Sequence, residues 1–312
     1  MINSIIINLR KKLKSVLAIS TLSILFVICF SGCYKQKTKP LVTNEEEEKY
    51  SITSTEIRAT APANMPIPVK SFQGFGYCNG VLFQFYSDNA VELIDYKSGK
   101  VIADLATETE HGNSIAFLNE YYDKKDEFPM AIVSDGLSNR AYKIRIQRSE
   151  VITVQTITFP IDKCGYYVST MFDAANNILY TIGYTENHYY DNSDGNNNMV
   201  FCKWDISNLI DNSDSTVTPA FISSFTTPFM KTLQAPCYFK GKLYVVSSHW
   251  DDTETKIYVV DPYRKAIVDV MEDFPDDIKT IETEGIFVAE IEKENVAILK
   301  TKSSPYKLMK IK

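Results

Sequence analysis

The feature that most constrains the fold is a unit of apolar runs and polar turns that occurs more than once along the chain. Residues Phe239–Val270 read FKGKLYVVSSHWDDTETKIYVVDPYRKAIVDV. Three runs rich in β-branched and aromatic residues lie in this stretch, at Leu243–Val246, Ile257–Val260 and Ala266–Val270. Polar loops and turns containing Gly or Pro separate them, which predicts consecutive antiparallel strands and not a helix.

The same unit occurs earlier, at Asn79–Leu105, which reads NGVLFQFYSDNAVELIDYKSGKVIADL. Looser copies keep the order of an apolar run, a polar loop and a second run, at Met130–Ile146, Ile178–Ile206 and Val296–Ile311. About five copies of roughly 40–60 residues are typical of a propeller or a solenoid. We therefore predict an all-β chain that forms a β-propeller of about five four-stranded blades, with six or seven blades as the alternative.

The two ends of the repeat region predict how the ring closes. Ser51–Thr60 is a lone strand-like stretch that precedes the first full unit, and the last copy, Glu284–Lys312, supplies only three strands. A propeller closes when strands from both ends of the chain share a blade, because closure leaves only short, protected edges. We expect Ile52–Thr60 to be the fourth and outermost strand of the last blade.

Composition agrees with one large β-rich domain that does not bind nucleic acid. Of 312 residues, 45% are hydrophobic and 12% aromatic, which suits a sizeable core and excludes a disordered chain. The formal net charge is −6. A leader with four basic and no acidic side chains would, once removed, leave the chain more acidic still. Such a surface repels phosphate backbones, so we expect no nucleic-acid partner.

The cysteines outside the leader are widely spaced and include no CxxC pattern. They are Cys78, Cys164, Cys202 and Cys237. Four cysteines permit two disulfides, but wide spacing favours buried thiols without partners.

The first 32 residues have the layout of a secretory signal. A basic patch at Leu9–Lys14 precedes an apolar run at Val16–Phe30. That run is shorter than the roughly 20 apolar residues that a membrane-spanning helix needs. We expect residues 1–32 to be removed. An ordinary signal with a coincidental cysteine, or an uncleaved anchor helix, remains the alternative.

Phe30-Ser31-Gly32-Cys33 resembles the bacterial lipobox, although Phe30 stands where Leu is usual. This resemblance implies that Cys33 carries lipid, palmitate included, and anchors the chain to a membrane in the bacterial cell envelope, on its extracytoplasmic side. Several acyl chains hold a soluble domain far more firmly than one. Tyr34–Lys49 is polar and acidic, so residues 33–50 are expected to be a flexible tether. Residues 51–312 then form the single propeller domain.

The first strand of each predicted blade would line a central channel. These strands begin near Phe72, His111, Gly165, Leu233 and Glu282. Their polar residues should converge on one mouth of the channel, and Arg140 begins a neighbouring strand where a cation could clamp an anion. The predicted ligand-binding residues are Gln73, His111, Asn113, Arg140, Tyr166, Gln234 and Glu284.

Two same-face pairs are the candidates for chemistry, since alternate residues of a strand point to one side. They are His111 with Asn113, and Glu282 with Glu284, so His111, Glu282 and Glu284 are the candidate catalytic residues. A turn histidine satisfied by the backbone and two solvated loop carboxylates are the structural alternatives. His249 and Trp250 lie in a loop where an aromatic side chain could stack on a sugar or cover the blade beneath.

No cofactor or metal site is predicted, although a cation in the channel is possible. Asp191–Asn198 reads DNSDGNNN, but its Gly comes too early for an EF-hand and no bidentate Glu follows at the required distance. Nucleophile-elbow, HExxH, Walker and dinucleotide motifs are also missing from the sequence.

The FSGC, GKLYVV…IYVVD, HGN and ETEGI stretches together resemble uncharacterised bacterial lipoproteins that carry a β-propeller domain. The resemblance spans roughly residues 30–312. More loosely, the five-unit count is similar to glutaminyl cyclotransferase-type propellers, whose catalytic residues have no match here. The expected function is a binding or interaction module for a small polar ligand, glycan, peptide or protein, and the alternative is a hydrolase or cyclotransferase.

Overall fold

The structure is a computed structural model that describes residues 57–60, 72–189, 191–210, 216–249, 255–272, 274, 282–291, 293–301 and 307–310. All of them belong to one compact unit, Tyr50–Lys312. The predicted leader, Cys33 and most of the tether belong to a second unit, Met1–Lys49, which lies outside the described residues. Within the described ranges, no helix is both long and apolar enough to cross a bilayer.

Five mainly antiparallel sheets contain more than half of the described residues, which confirms the all-β prediction. The first sheet contains β2 (Phe72–Cys78), β3 (Val81–Tyr86), β4 (Ala90–Asp95) and β5 (Val101–Ala106). The second contains β6 (Gly112–Phe117), β7 (Ala131–Asp135), β8 (Arg140–Ile146) and β9 (Val151–Thr158). The third contains β10 (Tyr166–Asp173), β11 (Ile178–Tyr184), β12 (Asn198–Asp205) and β14 (Ala220–Pro228).

The fourth sheet contains β15 (Cys237–Phe239), β16 (Lys242–Ser247), β17 (Lys256–Asp261) and β18 (Ala266–Met271). The fifth contains β19 (Thr283–Ile291), β20 (Glu294–Thr301), β21 (Lys307–Lys310) and β1 (Ile57–Thr60). Two one-turn helices, α1 (Ile161–Cys164) and α2 (Ser207–Ile210), lie in connections, and a two-residue strand, β13 (Thr216–Val217), joins the second sheet.

The two clearest copies of the repeat fold in the same register. Leu82 pairs with Ile94 in the first sheet, and Leu243 pairs with Val260 in the fourth. In each copy, the turn before this pair joins the inner strand to the next strand, and its glycine has a positive φ, 80° at Gly80 and 84° at Gly241. Glycine adopts this conformation without steric cost, so the turn fixes the pairing of the two strands that it joins.

The N-terminal strand completes the last sheet. β1 is antiparallel to β21, with Ile57 opposite Met309 and Thr60 opposite Lys307, and the order across the sheet is β1-β21-β20-β19. The prediction of an outermost strand contributed by the N-terminal segment is confirmed for residues 57–60. The rest of Ile52–Thr60 lies outside the described residues.

Five apolar clusters fill the spaces between successive sheets, and the arrangement is propeller-like. One cluster joins the first sheet to the second, and others join the second to the third, the third to the fourth and the fourth to the fifth. A further cluster packs Phe72 and Phe75 of the first sheet against Ile298 of the fifth. Because the last sheet also packs on the first, the inner strands β2, β6, β10, β15 and β19 surround a common axis.

The connection at 208–218 partly joins a neighbouring sheet. β13 pairs in parallel with β9, and Asn208 Nδ2 donates to Thr218 O at 3.0 Å. Buried Lys143 Nζ donates to Leu209 O at 2.7 Å. The connection therefore straps the third sheet to the edge of the second, a long-range pairing that the local sequence pattern does not encode.

The four cysteines of the domain are free thiols, as predicted. Burial raises the pKa of Cys78 to about 11 and that of Cys237 to about 12. A thiol with so high a pKa carries almost no thiolate near neutral pH. These cysteines therefore pack as small apolar side chains.

Candidate functional site

A cavity of about 190 Å³ opens where the inner strands begin, and all five sheets contribute to its wall. One polar residue comes from the same place in each sheet. These five residues are Gln73, Asn113, Tyr167, Gln234 and Glu284. Because they are equivalent positions around the axis, they surround one space.

Irregular strand pairing places these five side chains. The register between the first two strands shifts at Phe72/Phe75, Gly112/Ser114, Tyr166/Ser169 and Thr283/Gly285 in four of the sheets. In the fourth sheet, Gln234 lies between two isolated bridges, Leu233↔Ser247 and Ala235↔Gly285. A bulge frees a residue from the ladder and redirects its side chain, and bulges are frequent beside functional sites.

The structure brings most of the predicted site residues together. Besides Gln73, Asn113, Gln234 and Glu284, the cavity wall includes His111 and Glu282. His249 also lines it, whereas Trp250 lies outside the described residues. Their roles in binding or catalysis stay predictions.

Tyr166 does not line the cavity; its neighbour Tyr167 does. Tyr166 pairs regularly with Tyr184, and the bulge that follows gives Tyr167 a φ of 58°. Tyr166 was predicted from its place at the start of an inner strand, and the bulge instead gives the cavity-facing position to the next residue.

Arg140 also lies away from this cavity. Its side chain is 44% exposed, and Nη2 is 3.3 Å from Asp135 Oδ2 and 3.9 Å from Glu110 Oε2. It also donates to Ser138 Oγ through Nε at 3.4 Å. Arg140 therefore pairs with acidic groups of its own hairpin and the adjoining loop.

Thr232 is a cavity residue that the sequence did not indicate. Its φ of 36° is rare for a β-branched residue. Its N–H donates to Tyr189 O at 3.1 Å and its carbonyl accepts from Ser248 N at 3.2 Å, so neighbouring segments hold the strained backbone. The side chain is 6% exposed, and its Oγ1 has no hydrogen-bond partner within the described part of the chain.

Three tyrosines form one corner of the cavity, here called the tyrosine corner: Tyr167, Tyr184 and Tyr189. The ring centroids of Tyr167 and Tyr189 are 5.3 Å apart at 78°, and those of Tyr167 and Tyr184 are 6.4 Å apart at 75°. The Tyr184 hydroxyl accepts from Leu233 N at 2.6 Å, and burial raises the pKa of Tyr184. Tyr167 donates to Asn187 Oδ1 at 2.8 Å.

The acidic part of the wall comes from the start of β19. Gln234 Nε2 donates to Glu282 Oε1 at 3.3 Å and to Ser248 O at 3.2 Å. Glu284 is 2% exposed and lies beside Lys300, which is 0% exposed. Burial lowers the pKa of Lys300 to about 8, and the charge of Glu284 opposes that shift. The Lys300 ammonium also lies 5.5 Å from the Phe72 ring centroid.

The amide part of the wall is held by neighbouring inner strands. Asn113 Nδ2 donates to Ser169 Oγ at 2.8 Å, which links β6 to β10. A side chain at Gly136 would place its Cβ 2.6 Å from Asn113 Cβ. The absence of that side chain leaves room for Asn113 to face the cavity.

Among the described residues, no group of three or more His, Cys, Asp or Glu side chains is arranged to hold a metal ion. The side chains of the described wall offer hydrogen bonding by amides and hydroxyls, charge from carboxylates, and proton transfer by imidazoles.

The chain matches no protein-family model and no curated protein. It is similar in structure to the glutaminyl cyclase of Myxococcus xanthus, with a TM-score of 0.51 and 10% identity over 82% of this chain and 95% of that one. It also matches the Dos1 propeller, with a TM-score of 0.37 and 12% identity over 79% of this chain and 62% of that one. At this identity, the first match shows a shared fold and nothing about activity.

Proposed function

We propose that the five sheets are the blades of a five-bladed propeller that binds a small polar ligand in the cavity at the start of its inner strands. One observation carries this proposal: each sheet contributes one polar residue to the same wall, four of them from bulges. A fold that needed only a packed axis would favour apolar residues at these positions. Polar groups that converge in one cavity are typical of a ligand site.

Backbone strain supports the same proposal. Tyr167 and Thr232 both have positive φ, and both line the cavity. Such conformations cost of order 1–3 kcal/mol each and cluster at ligand sites. The Thr232 hydroxyl has no hydrogen-bond partner among the described residues, so it is a group that a ligand would satisfy.

Thr232→Val should stabilise the free protein and weaken ligand binding. Valine keeps the shape of threonine but removes the unpartnered hydroxyl, so the free energy of unfolding should rise by about 1 kcal/mol. A ligand that bonds to this hydroxyl should bind about tenfold more weakly. Monosaccharides, amino acids and small peptides can be screened by thermal shift, and the hits compared by calorimetry.

Thr301→Val is the matched control. Thr301 is fully buried, its Oγ1 also has no partner in the described part of the chain, and it does not line the cavity. This variant should be stabilised similarly yet bind every hit as the wild type does. Equal loss of affinity in both variants, or hits unaffected by Thr232→Val, would contradict binding in this cavity.

An enzyme is the second candidate, because His111, His249, Glu282 and Glu284 share the cavity wall. Imidazoles and carboxylates are the usual general acids and bases. Glucosides or peptides would be the substrates of a hydrolase, and peptides with an N-terminal Gln those of a glutaminyl cyclase. Release of ammonia from a glutaminyl peptide that His111→Ala and Glu282→Gln abolish would favour this candidate over a binding module.

We also propose that Cys33 is lipidated and anchors the propeller to a membrane on the extracytoplasmic side of a bacterial envelope. FSGC after a basic and apolar leader supports this. Metabolic labelling with palmitate should tag the wild type, and Cys33→Ser should lose the tag completely. Cys29→Ser removes a cysteine from the apolar run and should keep the label. A label that persists in Cys33→Ser would refute the anchor.

A further inference from the structure

Resting on the proposed function, we infer that the ligand carries a positively charged nitrogen, an ammonium or guanidinium group, held between the tyrosine corner and the carboxylates of Glu282 and Glu284. The five equivalent positions say only that the ligand is polar. The charge and the geometry of the other wall residues indicate which polar group the ligand carries.

The tyrosine corner has the geometry of a cage and not of a platform. Its rings meet at 75° and 78°, with the third pair, Tyr184 and Tyr189, 6.4 Å apart at 52°. Tyr184 is buried beneath the other two, so the partly exposed rings of Tyr167 and Tyr189 are those that a ligand can reach, and a cation over an aromatic face is attracted by the ring quadrupole. A sugar stacks on an open flat ring, whereas the rings of Tyr167 and Tyr189 meet edge to face.

The fixed charges of the described wall are negative. Glu282 and Glu284 line the cavity, and no Lys or Arg of the described residues does. Lys300 lies behind Glu284, in the neighbouring strand, and offsets part of its charge. Glu282 supplies the other negative charge, and the hydrogen bond that Gln234 Nε2 donates to it fixes the position of Oε1. A carboxylate in a partly enclosed site attracts a cation more strongly than one in bulk water does.

Hydrogen bonding points the same way. Ammonium and guanidinium groups are donors only, so they need acceptors on every side. The carboxylates are acceptors, and Thr232, whose buried hydroxyl has no partner in the described part of the chain, also lines the cavity. This buried hydroxyl is evidence independent of the acidic residues.

The test compares butylguanidinium with butylurea, a neutral molecule of nearly the same shape, by titration calorimetry on the domain starting at residue 50 and on the full chain. Butylguanidinium should bind about tenfold more tightly or better, because only it gains the cation–π and carboxylate interactions. Its affinity should fall as salt is raised.

Substitutions in the cavity wall test whether the preference for butylguanidinium over butylurea arises there. Tyr189→Leu and Glu282→Gln should each weaken butylguanidinium binding about fivefold to tenfold. Tyr122→Leu and Glu150→Gln change an exposed tyrosine and an exposed glutamate outside the cavity, and they should leave the affinity unchanged.

Two outcomes separate this inference from the proposal on which it rests. If butylurea or a monosaccharide binds as well as butylguanidinium and Thr232→Val weakens that binding, the cavity is a ligand site but the cationic ligand is wrong. If butylguanidinium binds no better than butylurea and no screened ligand responds to Thr232→Val, the inference and the proposed function both fail.

Discussion

Replacement of Gly165 by alanine should lower the free energy of unfolding by about 4 kcal/mol. Gly165 has φ 70° and ψ −149°, a combination that essentially only glycine adopts. An added Cβ would collide with the carbonyl oxygen of Tyr184 and lie 2.8 Å from its carbon and 2.9 Å from Val200 Cγ1. Because backbone cannot yield as a side chain does, β10 would have to move, and the bulge at Tyr167 with it. Urea unfolding followed by fluorescence measures the change.

Gly195→Ala is the matched control for Gly165→Ala. Gly195 also has a positive φ, 72°, but an added Cβ there would meet no atom within 4 Å. Its substitution should cost only about 1 kcal/mol, the strain of a positive φ. If both variants lose the same amount, the close approach of Gly165 to β11 does not determine the stability of this sheet.

The fold could be predicted in outline because its signal is repeated and local. The apolar runs of the two clearest copies align Leu82 with Leu243 and Ile94 with Val260. In the structure, Leu82 pairs with Ile94 and Leu243 pairs with Val260, so both copies have the same register. Turn glycines and strand periodicity act within a few residues, so sequence alone contains them. The pairing of β1 with β21 followed because the last unit had too few strands.

The candidate site was only partly predictable, because bulges and long-range contacts determine its details. Nothing in the residues around Tyr166 and Tyr167 says which of them leaves the ladder. Thr232 gave no signal, since its strain arises from hydrogen bonds to Tyr189 and Ser248. Lys300 gave no signal either, since its ammonium packs over the ring of Phe72, more than 200 residues earlier. Four of the five equivalent positions, Gln73, Asn113, Gln234 and Glu284, were predicted, but Tyr167 was not.

The buried ammonium of Lys300 should make the stability of the protein rise with pH in the alkaline range. Its pKa is 10.5 in the unfolded chain and about 8 in the fold, chiefly because of burial. Between these values the unfolded state binds more protons than the native state, so unfolding becomes harder as pH rises. A shift of this size corresponds to about 3 kcal/mol, present in full above pH 10.5 and lost as pH falls through 8.

Lys300→Met isolates this effect from the other groups that titrate in the same range. Buried thiols and tyrosines have raised pKa values and destabilise the fold as pH rises, but they do so equally in both proteins. The attraction between the Lys300 ammonium and Glu284 is already part of the pKa of Lys300 in the fold, so it adds no separate pH dependence. Between pH 8 and 10.5, the free energy of unfolding of the wild type should therefore rise by about 3 kcal/mol relative to that of Lys300→Met. Thr301→Val, next to it in β20, removes no ionisable group, so its difference from the wild type should stay flat. If the difference between Lys300→Met and the wild type is also constant with pH, Lys300 has the same protonation in the folded and unfolded states. The wall behind Glu284 would then be more hydrated than its burial indicates.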